Sequence, residues 1–310
     1  MSQSNTNMEK QENIKFISDF LLRLSEIAGN ARLSYDKGKY YLNVEMDNGN
    51  YINYSVSDFE IQNFLHKGMR NIFRRGTSDR MIQNYEDKTS QKKEGTYKQF
   101  ANDNYPWEAL RALPNDLTIT TENRFPNPDP EKEEKARQLS KIYSLKGWGG
   151  HNAPTDEEKE EQRRSEPLIM LLSNILEVSP NVSIHTVGGR YYISVPTKDG
   201  HCMIYSTADW KLDSRDNHIF QWIKATRDIS TKSISEDPKE EMSNIGGKLM
   251  QHDATAYEIG YNLPKDLGLE YDATEIGKYL ERVARRGTKE AAESAISGEQ
   301  SKEEKYYGGE

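Results

Sequence analysis

Two stretches of the chain carry almost the same message: GKYYLNVEMDNGNYINYSVSDF at 38–59 and GRYYISVPTKDGHCMIYSTADW at 189–210. At a shift of 151 they align without a gap, with Gly38, Tyr40, Tyr41, Val44, Gly49, Tyr54, Ser55 and Asp58 identical to their partners. A second match follows at a shift of 150, where PWEALRALPNDLTI (106–119) meets AYEIGYNLPKDLGL (256–269). The same unit in the same order at nearly the same spacing is the signature of a tandem duplication. A chain so built is expected to fold as two like modules related by an approximate two-fold axis, as a homodimer would be.

Each copy opens with an apolar stripe at helical spacing. In the first, Phe16, Ile17, Phe20, Leu21, Leu24 and Ile27 share one helix face, and Gly29-Asn30 ends the run. In the second, PLIMLLSNILEV starts at Pro167, a residue suited to a first helical turn. Three short alternating strands follow in each copy, separated by turn sequences such as Asp36-Lys37-Gly38 and Gly188-Gly189. The pattern then predicts a helix from Ser57 through Arg75 and one from Asp209 onward, a less regular stretch, and closing helices at 131–146 and 272–286.

The expected fold class is therefore α+β: two homologous α-β-β-β-α modules, each a three-stranded antiparallel meander packed by helices. The expected boundaries are a flexible tail at 1–12, a first module at 13–147, a hinge and short charged helix at 148–166, a second module at 167–288, and a C-terminal tail at 289–310.

Composition narrows the function classes. A formal charge of −8 argues against a protein whose main work is to grip a phosphate backbone. The single cysteine, Cys202, leaves no intrachain disulfide and no cysteine-rich zinc site, and suits a reducing, cytoplasmic setting. No run of 18 apolar residues is present, so no membrane contact is expected. The six histidines form neither a His-Glu-x-x-His nor a His-x-His pattern, and no cofactor or metal is expected. SNIGGKLMQ at 243–251 lacks the leading glycine and trailing hydroxyl of a phosphate loop. Asp213, Asp216 and His218 could share one helix face, but the first copy has Gln62 and Leu65 at the positions of the aspartates, which favours a solvated face.

The candidate binding residues come from the strands. If Tyr40, Leu42, Val44 and Met46 face the core, Tyr41 and its counterpart Tyr192 stand on the more polar face, beside Lys39 and Arg190. An aromatic next to a cation can anchor a protein partner or stack a base. Arg70, Arg74 and Arg75 add positive charge at the expected end of the helix that starts at Ser57. With no catalytic constellation in either copy, the reading is a non-enzymatic interaction protein of adaptor or inhibitor type that engages another protein. The alternatives are a nucleic-acid-associated protein using the same tyrosines and basic residues, and an enzyme whose site assembles between the modules. A homo-oligomer is a further expectation.

Overall fold

The computed structural model describes residues 2–68, 72–95, 98–99, 105–119, 127–145, 156–207, 219–225 and 248–286. The sequence-predicted meanders are present. β1 (Asn30–Asp36), β2 (Lys39–Glu45) and β3 (Tyr51–Ser57) pair antiparallel in the first half, and β6 (Asn181–Val187), β7 (Arg190–Pro196) and β8 (Cys202–Thr207) do so in the second. Two-residue turns close the first hairpin of each set. Lys37 and Gly38 have φ of 46° and 80°, and Gly188 and Gly189 have 55° and 79°, the doubly positive backbone that matches strand twist and that glycine adopts most cheaply.

The sheet is larger than the meanders alone. β4 (Arg74–Ser78) and the short β5 (Lys98–Gln99) extend one edge, and β9 (Ile219–Ala225) and β10 (Lys248–Thr255) extend the other. The order is β10-β9-β8-β7-β6-β1-β2-β3-β4-β5, antiparallel throughout. This corrects the three-stranded expectation, and the reason lies partly at Gly68. There α2 (Asp58–Lys67) stops because Gly68 turns left-handed at φ 67° and donates its N–H to Asn63 and Phe64 carbonyls. The chain released by this cap pairs Arg74 with Ser55 and Arg75 with Tyr54 rather than continuing as helix. In the second half the alternating aromatic and β-branched run IFQWIKA, expected within a helix, lies along the edge of β8 instead.

The two meanders meet at β1 and β6. Asn30 faces His185, Arg32 faces Ser183 and Ser34 faces Asn181, the register of a local two-fold axis through the Arg32–Ser183 pair, with positions 151 apart exchanged. Over this seam lie α1 (Ser2–Ala28) and α6 (Asp156–Val178). Lys15 of α1 reaches Glu166 of α6 at 2.6 Å, again a pair of positions 151 apart.

α1 is buried on several sides: Ile17, Phe20, Leu21, Leu22 and Leu24 are fully enclosed, each removal from water worth roughly 1.5–3 kcal/mol. One core joins these residues to Leu168, Leu171, Leu172 and Ile175 of α6 and to the inner face of both meanders. α4 (Pro106–Thr118), α5 (Pro130–Leu145), α7 (Ala256–Asp266) and α8 (273–286) flank the central helices. The 106–118 and 256–266 segments, expected to be irregular, are thus helices, each with an internal proline (Pro114 and Pro264).

Two boundary expectations are also revised. Residues 2–12, expected to be a tail, are part of α1, which is tied to α2 by Gln62 Nε2 donating to the Glu9 carbonyl (2.9 Å) and by the His66–Glu12 contact at 3.1 Å. Residues 156–166, expected to be a separate short helix, run continuously through Pro167 into α6. Proline forfeits a helix hydrogen bond there. Arg23 donating to Ser165 Oγ (2.7 Å) and Lys15 to Glu166 hold that turn against α1. The expected hinge at 148–155, the tail at 289–310 and the Asp213, Asp216, His218 cluster lie outside the described residues.

Candidate functional site

On the face of the first meander away from α1, side chains of three adjacent strands line up. Register places Lys39 opposite Ser57, Tyr41 opposite Ser55, and Ser55 opposite Arg74. Tyr41, Ser55 and Arg74 therefore form a row across β2, β3 and β4, with roughly 5 Å between neighbouring Cβ atoms. α3 (Tyr85–Glu94) roofs the row. It starts at Asn84, whose side chain accepts the Asp87 N–H, and the segment leading into it is pinned where Ile82 N–H donates to Asn43 Oδ1 at 2.8 Å. Tyr85 and Lys88, three apart, share one side of α3 and complete the lining of a cleft of about 110 Å³ with Lys39, Tyr41, Ser55, Ser57, Glu60 and Arg74.

The lining is cationic. Lys39 Nζ lies 5.8 Å from the centre of the Tyr85 ring, within cation–π range, and Tyr85 is 61% exposed. Lys88 Nζ donates to Ser55 Oγ at 3.4 Å. The Lys88 ammonium is pushed below its ordinary pKa, first by burial and then by the Arg74 and Lys39 charges, with Glu60 opposing. Among the described residues Glu60 is the one carboxylate of the lining, and it is largely engaged by its own helix. Its Oε2 accepts from the Ser57 N–H and Ser57 Oγ, both at 2.8 Å, closing a capping box, while Oε1 receives Arg74 Nη2 at 3.3 Å. The Tyr41 hydroxyl is pushed above its ordinary pKa by burial and by the charges of Asp36, Tyr85 and Asp87, so it stays protonated and able to donate.

Of the sequence-predicted site residues, Lys39, Tyr41 and Arg74 come together here. Tyr41 stands on the expected face, but it is only 2% exposed beneath the roof, so it lines the cleft floor rather than an open sheet. Arg75 is turned to the opposite face, where its guanidinium pairs with Asp116 of α4; it is a core ion pair and not a surface cation. Tyr192 is 1% exposed, again on no open face. It and Arg190 belong to β7, separated from β2 by β6 and β1, about 14 Å away across the sheet. Arg70 lies outside the described residues.

Tyr85, Lys88, Ser55, Ser57 and Glu60 were not singled out from sequence. The Asn84-x-x-Asp87 cap before a polar run was the available sign of α3, and a Ser-x-x-Glu box at 57–60 that of α2.

The matching region of the second half is chemically different. Strand pairing puts Gln221 where Arg74 stands, since Gln221 faces Ser206 as Arg74 faces Ser55. A larger open depression of about 320 Å³ between α4 and α5 is lined by Arg111, Glu133, Glu134 and Arg137, a balanced set in which Arg137 already pairs with Glu134. Cys202 is buried in β8. Among the described residues, no group of three or more His, Cys, Asp or Glu is placed to hold a metal ion, and no helix is long and apolar enough to cross a membrane. No family model, no curated protein and no solved structure matches the chain.

Proposed function

We propose that the chain is a non-enzymatic interaction protein, made by tandem duplication of one module, that engages a protein partner through the Lys39–Tyr85–Arg74 cleft of its first half. The observation that carries this reading is the accessible Tyr85 ring set beside Lys39 at a cleft of about 110 Å³ that Arg74 also lines. Small-molecule and cofactor sites usually enclose about 300–1,000 Å³, so this cleft has room for one side chain rather than for a cofactor. An exposed aromatic with a cation is the usual composition of an interface anchor. The chain as a whole, at net charge −8, repels polyanions while the cleft attracts a local negative group, which confers selectivity for an acidic feature on a partner.

The duplication supports a division of labour. The β1–β6 register and the Lys15–Glu166 contact agree with modules joined about a two-fold axis. The first half then keeps Arg74 for binding while the second half, with Gln221 at that place, serves as scaffold.

The test is a pull-down with the full chain from its native extract, with and without nuclease, alongside a Lys39→Glu/Arg74→Glu double variant. Both residues are partly exposed strand positions, so the variant should fold. A protein retained by the wild type after nuclease and lost by the variant is the expected result. Loss of all bound material on nuclease treatment would move the assignment to nucleic acid, and equal retention by wild type and variant would remove the cleft from the interface.

A further inference from the structure

Resting on the reading of the cleft as the binding site, we infer that α3 is its gate: a hinged lid that lifts from the strands as a unit to admit a partner's side chain and then closes over it. Access to the cleft floor requires such a movement. Tyr41 is 2% exposed beneath α3, and the space of about 110 Å³ lies between the strand residues Lys39, Tyr41, Ser55 and Arg74 and the helix residues Tyr85 and Lys88. A side chain that fills this space reaches Tyr41 only after α3 has moved.

The composition of α3 lets it move separately from the body of the protein. Gln91 is its one buried residue, its aromatic Tyr85 is 61% exposed, and none of its residues joins the apolar core that holds α1 and α6. A helix of 10 residues is marginal on its own, and a segment with few buried apolar contacts opens at a lower free-energy cost than the core. The ties of α3 to its surroundings are polar contacts that water can replace. Lys88 Nζ donates to Ser55 Oγ at 3.4 Å, Gln91 Nε2 donates to the Arg80 carbonyl at 3.4 Å, and Glu94 pairs with Arg80 at 3.0 Å where both side chains stand in solvent. Burial, followed by the charges of Arg74, Lys39 and Lys92, holds the Lys88 ammonium below its ordinary pKa, with Glu60 opposing, so its charge is penalised while α3 is closed and relieved when α3 lifts.

The two ends of α3 are fastened unequally. Before the helix, the Ile82 N–H donates to Asn43 Oδ1 at 2.8 Å and to Asn53 Oδ1 at 3.3 Å, and the Ile82 carbonyl accepts from Asn43 Nδ2 at 3.1 Å, which fixes the chain to β2 and β3 just ahead of the Asn84 cap. After it, the chain leaves through Gly95 in the left-handed region at φ 76°, and the next strand, β5, is joined to β4 by the pairs Gly76–Gln99 and Thr77–Lys98. The fixed entry is the pivot, and the end at Gly95 is the one that swings.

The experiment uses the full chain. Hydrogen exchange of the α3 amides is compared with that of α1 and β2 in the unmodified protein at several urea concentrations below the unfolding transition. A thiol introduced by Ser55→Cys in a Cys202→Ser background, its folding checked by circular dichroism, then reports on the cleft with two reagents: a small methanethiosulfonate and a polyethylene glycol maleimide too large for the closed space. We expect the α3 amides to exchange roughly a hundredfold or more faster than those of α1, at a rate that urea leaves nearly unchanged, because lifting α3 exposes little surface. The small reagent should label first, and the large one at a slower rate that is equally insensitive to urea. Exchange of α3 that follows the same urea dependence as α1, or equal labelling by both reagents, would overturn the inference, the first because α3 is then part of the core and the second because the cleft is then open without it. If α3 proves fixed while the Lys39→Glu/Arg74→Glu variant still loses its partner, the gate falls and the interaction reading stands. If α3 opens but that variant keeps its partner, the cleft is not the interface and the gate falls with it.

Discussion

Replacing Gly260 by alanine tests whether α7 and α6 pack as closely as described. Gly260 lies inside α7, and a Cβ added there would come within 2.4 Å of Asn174 Nδ2, 3.0 Å of Asn174 Cγ and 3.3 Å of Val283 Cγ1. By helix propensity alone the change should stabilise by about 1 kcal/mol. Asn174 cannot yield cheaply, because it is fully buried and its Oδ1 accepts a hydrogen bond from Arg286 Nη1 at 2.5 Å. Displacing it weakens a charged hydrogen bond worth about 1.5–3 kcal/mol, and overpacking adds about 1–3 kcal/mol. Clash should win over propensity, leaving Gly260→Ala destabilised by about 2–3 kcal/mol, or a melting temperature lower by roughly 5 °C in a chain of this size. Urea and thermal unfolding followed by circular dichroism measure it. The decisive comparison is the same substitution in an Asn174→Ala background. With the amide gone, Gly260→Ala should turn neutral or stabilising. A rise in stability in the wild-type background, or an unchanged penalty in the Asn174→Ala background, would refute the reasoning.

Two further outcomes follow from buried charges. Arg23 is fully enclosed at the seam of the two halves, bonded to Asp19 at 3.1 Å, Glu26 at 3.0 Å and Ser165 at 2.7 Å. Arg23→Ala should cost about 3–5 kcal/mol, read from the urea midpoint, and adding Glu26→Gln should recover part of it by removing an acid left without its cation. Asp266, the last residue of α7, is half-buried near Tyr205. Burial raises its pKa, so ionising it costs folding energy: the penalty is absent below the unfolded carboxylate range, grows as pH rises to the folded pKa, and is complete above it. Asp266→Asn should therefore stabilise at pH 7 and converge on the wild type near pH 3, and a variant less stable at pH 7 would show that the carboxylate is used.

The fold was legible where a pattern was local. Strands β1–β3 and β6–β8 are set by period-two alternation between glycine turns, and α1 by its apolar stripe, and the structure contains each of them in the expected order, with α1 starting earlier than expected. The helix after Ser57 is shorter than its pattern predicts because Phe64, Ile72 and Phe73 keep an apolar rhythm across Gly68, where the helix ends. A left-handed cap depends on backbone conformation, which side-chain periodicity does not report. The candidate site was legible in part for the same reason. Lys39 and Tyr41 are neighbours on one strand, so alternation alone put them on one face.

What the amino-acid sequence determined by itself, then, is the repeated helix and meander, the face each strand residue takes, and the acidic balance of the whole. These follow from short-range sterics and from counting charges. Only the tertiary structure decided that the meanders fuse into one sheet through β1 and β6, that Arg75 turns inward to Asp116 while its neighbour Arg74 turns outward, and that α3 brings Tyr85 and Lys88 over Tyr41. Those outcomes depend on which edge strand is available for pairing and on which helix lies over it, contacts between residues some 40 or more positions apart whose energies no local pattern encodes.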